Sequence, residues 1–275
     1  MKSTVMASLA VALAGAAANS WAQDTAPAAA GAEEAVTSPW SGSLTLATQY
    51  VARGIRQTWG QPAVQGGIHY AHPDGFFGGL WASNVSGKFI EGGNIETDVY
   101  AGYSKKIGDI TYTGGLFAYL YPGAKMSAFN VRYDYIEAML GFSYEWLSVK
   151  YYTTVSKDYF GFNGTTLGVG DGKRTRGSGY LDITGDFDLG DGYALQLHYG
   201  HQRVRHYSNF NWQDAKVALS KNFSGGWNLT GGVTKAWNKH GVYKNYTTGA
   251  PDANGNLAVS NPLKTTVFAT LTKSF

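Results

Sequence analysis

The 275-residue sequence predicts an all-β fold: a transmembrane, antiparallel, up-and-down β-barrel of about twelve strands with both termini periplasmic. Three observations lead there. From residue 43 onward, apolar and polar side chains alternate with a period of two, the mark of half-buried strands. The connections between the alternating runs are short and long by turns. The composition is rich in glycine (37) and in Tyr, Phe and Trp (19, 13 and 8), while only 15% of residues are charged. That composition excludes a disordered chain and a coiled coil. No run of ~18 consecutive apolar residues exists, which excludes a bundle of membrane helices. There are no cysteines, hence no disulfide framework or thiolate metal site, and a net charge of +3 makes no case for a nucleic-acid partner.

The elements follow in order. Residues 1–22 have the pattern of a secretory signal peptide: Lys2, then an almost wholly apolar run from Val5 to Ala18, then the small-x-small triplet Ser20-Trp21-Ala22. Residues 23–40 are Ala-rich with Pro27, Pro39 and Glu33-Glu34, and read as a flexible periplasmic tail. Residues 41–275 form the barrel. Its twelve runs lie at roughly 43–55, 63–71, 76–84, 95–104, 110–121, 135–144, 147–156, 178–187, 193–201, 213–222, 227–236 and 264–275. In the fourth, Ile95, Thr97, Val99, Ala101 and Tyr103 share one face, and Glu96, Asp98, Tyr100 and Gly102 the other. In the seventh, Leu147, Val149 and Tyr151 oppose Ser148, Lys150 and Tyr152.

Short connections at 72–75, 105–109, 145–146, 189–192 and 223–226 carry mostly hairpin turn residues. The others, at 56–62, 85–94, 122–134, 157–177, 202–212 and 237–263, are longer. A barrel crossing an outer membrane requires this alternation of periplasmic turns and extracellular loops. The last strand ends on Phe275, which looks like a signal for the barrel assembly machinery.

Several stretches resemble the TorF-type porin family of Gram-negative outer-membrane proteins, also carried as an uncharacterised conserved family. They include Tyr50-Val51-Ala52-Arg53-Gly54-Ile55-Arg56-Gln57-Thr58, Trp81-Ala82-Ser83-Asn84-Val85, Ile95-Glu96-Thr97-Asp98-Val99-Tyr100 and His198-Tyr199-Gly200-His201. The resemblance runs from about residue 41 to the end and is densest before residue 123. It implies an outer-membrane barrel of porin type, a passive diffusion channel for small hydrophilic solutes or ions, and does not specify the solute.

Strand parity points particular charges into the lumen. Arg53, Glu96, Asp98, Glu137, Asp182, Asp214 and Lys216 belong to the outer half, and Lys150 lies nearer mid-barrel. Opposed charges at this level are the candidate constriction, with acids in excess and a mild cation preference. Tyr100, Tyr119, Tyr152 and Tyr180 share the inward parity, so the alternative is a filled, non-conducting barrel whose long loops bind lipopolysaccharide or a partner. The loops are basic. Lys173, Arg174 and Arg176, with Arg203 and Arg205, form an extracellular rim suited to lipopolysaccharide phosphates.

No enzyme is expected. His69 and His198 face the lumen, not lipid, and His201 and His206 lie at the loops without a telling spacing. Gly168-Val169-Gly170-Asp171-Gly172 lacks both the spacing and the context of a nucleotide site, and no cofactor or metal motif is visible.

Overall fold

The computed structural model describes residues 38–275. The expected signal peptide at 1–22 and nearly all of the tail at 23–40 lie outside the described residues. Twelve strands form one closed antiparallel barrel. They are β1 (Trp40–Ala47), β2 (Ala63–Ala71), β3 (Phe76–Asn84), β4 (Ile95–Ile107), β5 (Ile110–Leu120), β6 (Tyr135–Tyr144), β7 (Leu147–Thr154), β8 (Gly179–Gly190), β9 (Tyr193–Arg203), β10 (Trp212–Phe223), β11 (Trp227–Trp237) and β12 (Thr266–Ser274). Each pairs with its sequence neighbours, and β12 closes on β1 with Leu46 opposite Leu271. Closure leaves no edge strand, which a sheet in lipid cannot tolerate. Gly42 and Phe275 exchange backbone hydrogen bonds of 2.8 and 3.1 Å, so both ends of the described chain sit at the short-turn end.

The period of two becomes an inside and an outside. Leu44, Leu80, Leu116, Leu140, Val217 and Val267 are exposed around the wall, Leu140 at 74%. Such a continuous apolar exterior is the surface of a barrel that lies in a membrane. Toward the short turns the belt gives way to aromatics: Trp40 packs on Tyr70, Phe76 on Tyr103 and Trp146 on Phe187 at centroid distances of 4.9, 4.9 and 5.0 Å. These amphipathic rings suit an interface with headgroups.

Turn chemistry explains the short ends. At Asp191-Gly192 both residues have positive φ (50° and 75°), the backbone that matches strand twist in a two-residue hairpin. The β4–β5 turn is tighter than expected. Strand β4 runs on through Lys105 and Lys106 to Ile107, leaving only Gly108-Asp109 as the turn.

The largest departure is the first run. The sequence reads as strand through residue 55, but β1 ends at Ala47. Thr48 still bonds to Ala269 of β12, but residues 50–58 leave the wall and fold into the lumen, where all are buried or half-buried. There Val51–Ala52 and Ile55–Arg56 pair as a two-rung hairpin. Arg53-Gly54, both at positive φ (50° and 72°), makes its turn. The glycine is required twice over. Besides the φ, a Cβ on Gly54 would lie 2.5 Å from Asp214 Cβ and 2.7 Å from Ala236 Cβ. The hairpin is tied down on several sides: Trp212 Nε1 donates to Arg53 O (3.0 Å), Ser86 N to Gln57 O (3.0 Å) and Arg56 N to Pro262 O (3.1 Å). Alternation misled here because the hairpin's own residues also alternate.

Candidate functional site

The barrel strands and the inward hairpin bring the expected charges together inside the long-loop half of the lumen. Arg53 hangs from the hairpin tip, not from a barrel strand as parity placed it. Its Nη2 donates to Glu137 Oε2 on β6 at 2.5 Å, and its Nη1 to Glu137 Oε1 and to Gln202 Oε1 on β9, both at 3.2 Å. The guanidinium also stands over the rings of Tyr180 (4.4 Å) and Tyr152 (5.0 Å), and such contacts contribute about 0.5–2 kcal/mol each. Glu137 is fully buried, so a bidentate cation is what makes its charge tolerable there.

A second cluster is centred on His198 of β9. Cross-strand register sets Thr184 opposite His198, Lys216 opposite His198, and Asp182 and Asp214 opposite Gly200. His198 Nε2 lies 3.1 Å from Asp214 Oδ1, and His198 Nδ1 lies 3.6 Å from Asp182 Oδ1. Tyr180 Oη donates to Asp214 Oδ2 at 3.1 Å, and the Thr184 hydroxyl donates to Asp182 at 2.8 Å. Gly200 makes room for this, because a Cβ there would sit 2.0 Å from Tyr180 Oη. The two carboxylates approach the imidazole from opposite edges, and among the described residues no three acidic or histidine side chains are arranged to hold a metal ion. Lys150 and Lys216 are buried on the same inner wall, Lys150 opposite Asp182 across β7 and β8.

Glu96 and Asp98 lie two residues apart on β4, both 3% exposed. Tyr121 Oη donates to Glu96 Oε1 at 2.8 Å. Glu96 Oε2 and Asp98 Oδ1 are buried without a hydrogen-bond partner.

Some of these groups border a partly open cavity of about 100 Å³. Its charged lining is Arg53, Glu96, Asp98 and Asp182, and the rest is largely aromatic. Two long loops contribute to it: Tyr159, Phe160 and Phe162 from 157–177, and Tyr243 and Tyr246 from 237–263. Burial among these rings pushes the Tyr243 hydroxyl well above its ordinary value. Neighbouring rings run along the wall from β2 to β9: His69, Tyr100, Phe117, Tyr152, Tyr180 and His198, with successive centroids 5.6–6.5 Å apart, Tyr152 and Tyr180 of them lining the cavity. The facing side carries small residues, such as Ala218 and Ala236, where the hairpin lies. The lumen is therefore narrow at this level.

Lys173, Arg174, Arg176, Arg203 and Arg205 are all exposed at the long-loop end. Arg174 pairs with Asp158 at 2.8 Å, and Arg176 Nε donates to Ser156 O. Arg56, at the start of the 56–62 connection, is by contrast only 8% exposed, with Nε donating to Gln49 Oε1. Sequence reasoning missed the inward hairpin, although Arg53-Gly54 and Trp59-Gly60 carried its turn signal. It also left His198 without a role, although adjacent inward positions on β8, β9 and β10 already set it beside two aspartates.

The barrel is similar in fold to the KdgM porin, with a TM-score of 0.50, 12% sequence identity, and 86% of this chain and 99% of that chain covered. The same figures hold for the KdgM porin in complex with disordered oligogalacturonate. Acinetobacter baumannii OccAB4 matches at a TM-score of 0.38 and 15% identity, over 85% of this chain and 57% of that chain. At these identities the likeness is one of fold. No curated protein matches the chain in sequence. The model of a bacterial protein family of unknown function, Gcw_chp, matches residues 29–275, and the chain belongs to that family.

Proposed function

We propose that this protein is an outer-membrane channel of porin type, a passive route for small hydrophilic solutes or ions. One observation carries the reading: the first long connection turns into the lumen of a closed barrel and borders a partly open cavity lined by Arg53, Glu96, Asp98 and Asp182. The constriction is set by Arg53, Glu96, Asp98, Glu137, Lys150, Asp182, Asp214 and Lys216. Five acids against three bases there favour cations. The resemblance to TorF-type porins agrees with this reading. The long-loop end is extracellular, its basic rim meets lipopolysaccharide phosphates, and the strand ending at Phe275 is what the assembly machinery engages. The protein has no enzymatic role, and residues 1–22 direct its export.

A second reading is a closed, non-conducting barrel that acts through its loops. The pairing of Arg53 with Glu137 and Gln202 favours it, because those groups satisfy one another without solute. Liposome swelling separates the two. Vesicles carrying the folded barrel should swell in isotonic arabinose faster than protein-free vesicles. Equal rates would favour the closed barrel.

A further inference from the structure

The cavity holds two carboxylates that no cationic side chain among the described residues pairs with. Arg53 is bonded bidentately to Glu137, and Asp182 lies beside His198. Glu96 and Asp98 have no ion-pair partner among the described residues. Each is 97% buried by area, and each presents an oxygen with no hydrogen-bond partner. Both side chains line the cavity. Parity fixes this geometry, since positions 96 and 98 of one strand must share a face. Two neighbouring buried carboxylates, each with one oxygen lacking a hydrogen-bond partner and neither in an ion pair, are costly to keep charged by ordinary solvation arguments. A cation supplied from outside would offset that cost.

The remaining walls identify the kind of cation. A hard divalent ion needs about six or more oxygen ligands at short range, and two carboxylates among tyrosine rings do not supply them. Aromatic faces are attractive to an ammonium group, whose charge is diffuse enough to sit against a ring. Tyr50, Tyr119 and Tyr121 line the same cavity as the two carboxylates. We propose that Glu96 and Asp98, with the tyrosine rings beside them, form a binding site for small organic cations bearing an ammonium group. The ammonium N–H groups would donate to the unpartnered carboxylate oxygens, and the organic body would lie along the rings. This deepens the channel reading and rests on it for its physiological sense, since the site would then select a solute class at the mouth.

The test is equilibrium binding to the refolded barrel in detergent micelles, which requires no conduction. Isothermal titration is run with benzylammonium, with benzyl alcohol of the same shape and no charge, and with benzoate. The proposal expects benzylammonium to bind at least ten-fold tighter than benzyl alcohol, and benzoate weakest. Sodium chloride at ten times the benzylammonium concentration should displace little of it. The variant Glu96→Gln with Asp98→Asn should lose the preference for the charged amine while keeping the heat-modifiable gel migration of a folded barrel. Equal binding of amine and alcohol by the unaltered protein overturns the proposal without any variant. So does displacement by sodium, which would assign the carboxylates to inorganic ions. A barrel that binds the amine but conducts nothing would keep this site and remove the channel.

Discussion

Arg53 and Glu137 join the tip of the first loop to the opposite wall of the barrel, with Nη2 and Oε2 2.5 Å apart across 84 residues of sequence. The pair fixes where the hairpin stands in the lumen. Arg53→Ala leaves the buried Glu137 without its cation, which costs about 3–5 kcal/mol. Urea unfolding in lipid vesicles should show a loss of that order. Replacing both partners, Arg53→Met with Glu137→Leu, should recover most of it. A single variant as stable as the parent would show that the pair does not hold the hairpin.

Gly200 tests the His198 cluster. Alanine there puts a Cβ 2.0 Å from Tyr180 Oη and 2.4 Å from Asp214 Oδ2, so the tyrosine must leave its two partners. Unpaired buried groups of this kind cost about 1–3 kcal/mol. Gly231→Ala is the control, because nothing lies within 4 Å of its Cβ. Thermal unfolding should separate the two variants clearly, and equal midpoints would dissolve the cluster's claim to stability.

Leu140 projects from the middle of β6 and is 74% exposed on the outer wall. In a bilayer, lysine at such a position costs about 2–4 kcal/mol. In a water-soluble barrel the same change would be nearly neutral. Unfolding of Leu140→Lys in vesicles checks which solvent the wall meets.

The 157–177 loop carries a pH-sensitive tether. The Tyr207 hydroxyl donates to Asp171 and is the main cause holding that carboxyl below its ordinary range, helped by the Lys173 amide and ammonium. A depressed carboxyl stabilises its fold above the ordinary carboxylate range and loses that contribution as pH falls through the lowered value. Tyr207→Phe should therefore move the loosening to higher pH. Hydrogen exchange at Val169 and Gly170, whose amides donate to Gly164 O, reads it directly.

Much of this was legible in the sequence because a membrane barrel writes its two solvents into alternate residues. Leu140 outside and Glu137 inside differ by the odd spacing that parity detects. Strand ends were less legible. Residues 105–109 read together as a turn, yet the tight Gly108-Asp109 turn lets Lys105 and Lys106 stay paired in β4. The inward hairpin was hidden because Tyr50, Ala52 and Gly54 alternate like a strand, and nothing local says that β1 stops at Ala47. The meeting of Arg53 with Glu137 lay beyond sequence altogether, since it joins groups across the lumen and not between paired strands. Glu96, Asp98, Glu137, Asp182 and Asp214 are all buried, but parity says nothing about which of them are answered. Only the three-dimensional arrangement separates Glu137, bonded to Arg53, from Glu96 and Asp98, each with an unpartnered oxygen.

The most direct measurement is single-channel conductance in a planar bilayer under a salt gradient, comparing the refolded barrel with a variant whose residues 49–58 are replaced by a short Gly-Ser link. A channel narrowed by the hairpin gives steady, small conductance steps with a reversal potential toward cations in the parent, and steps at least two-fold larger once the hairpin is gone. Silence from both proteins, each shown to be folded, would contradict it.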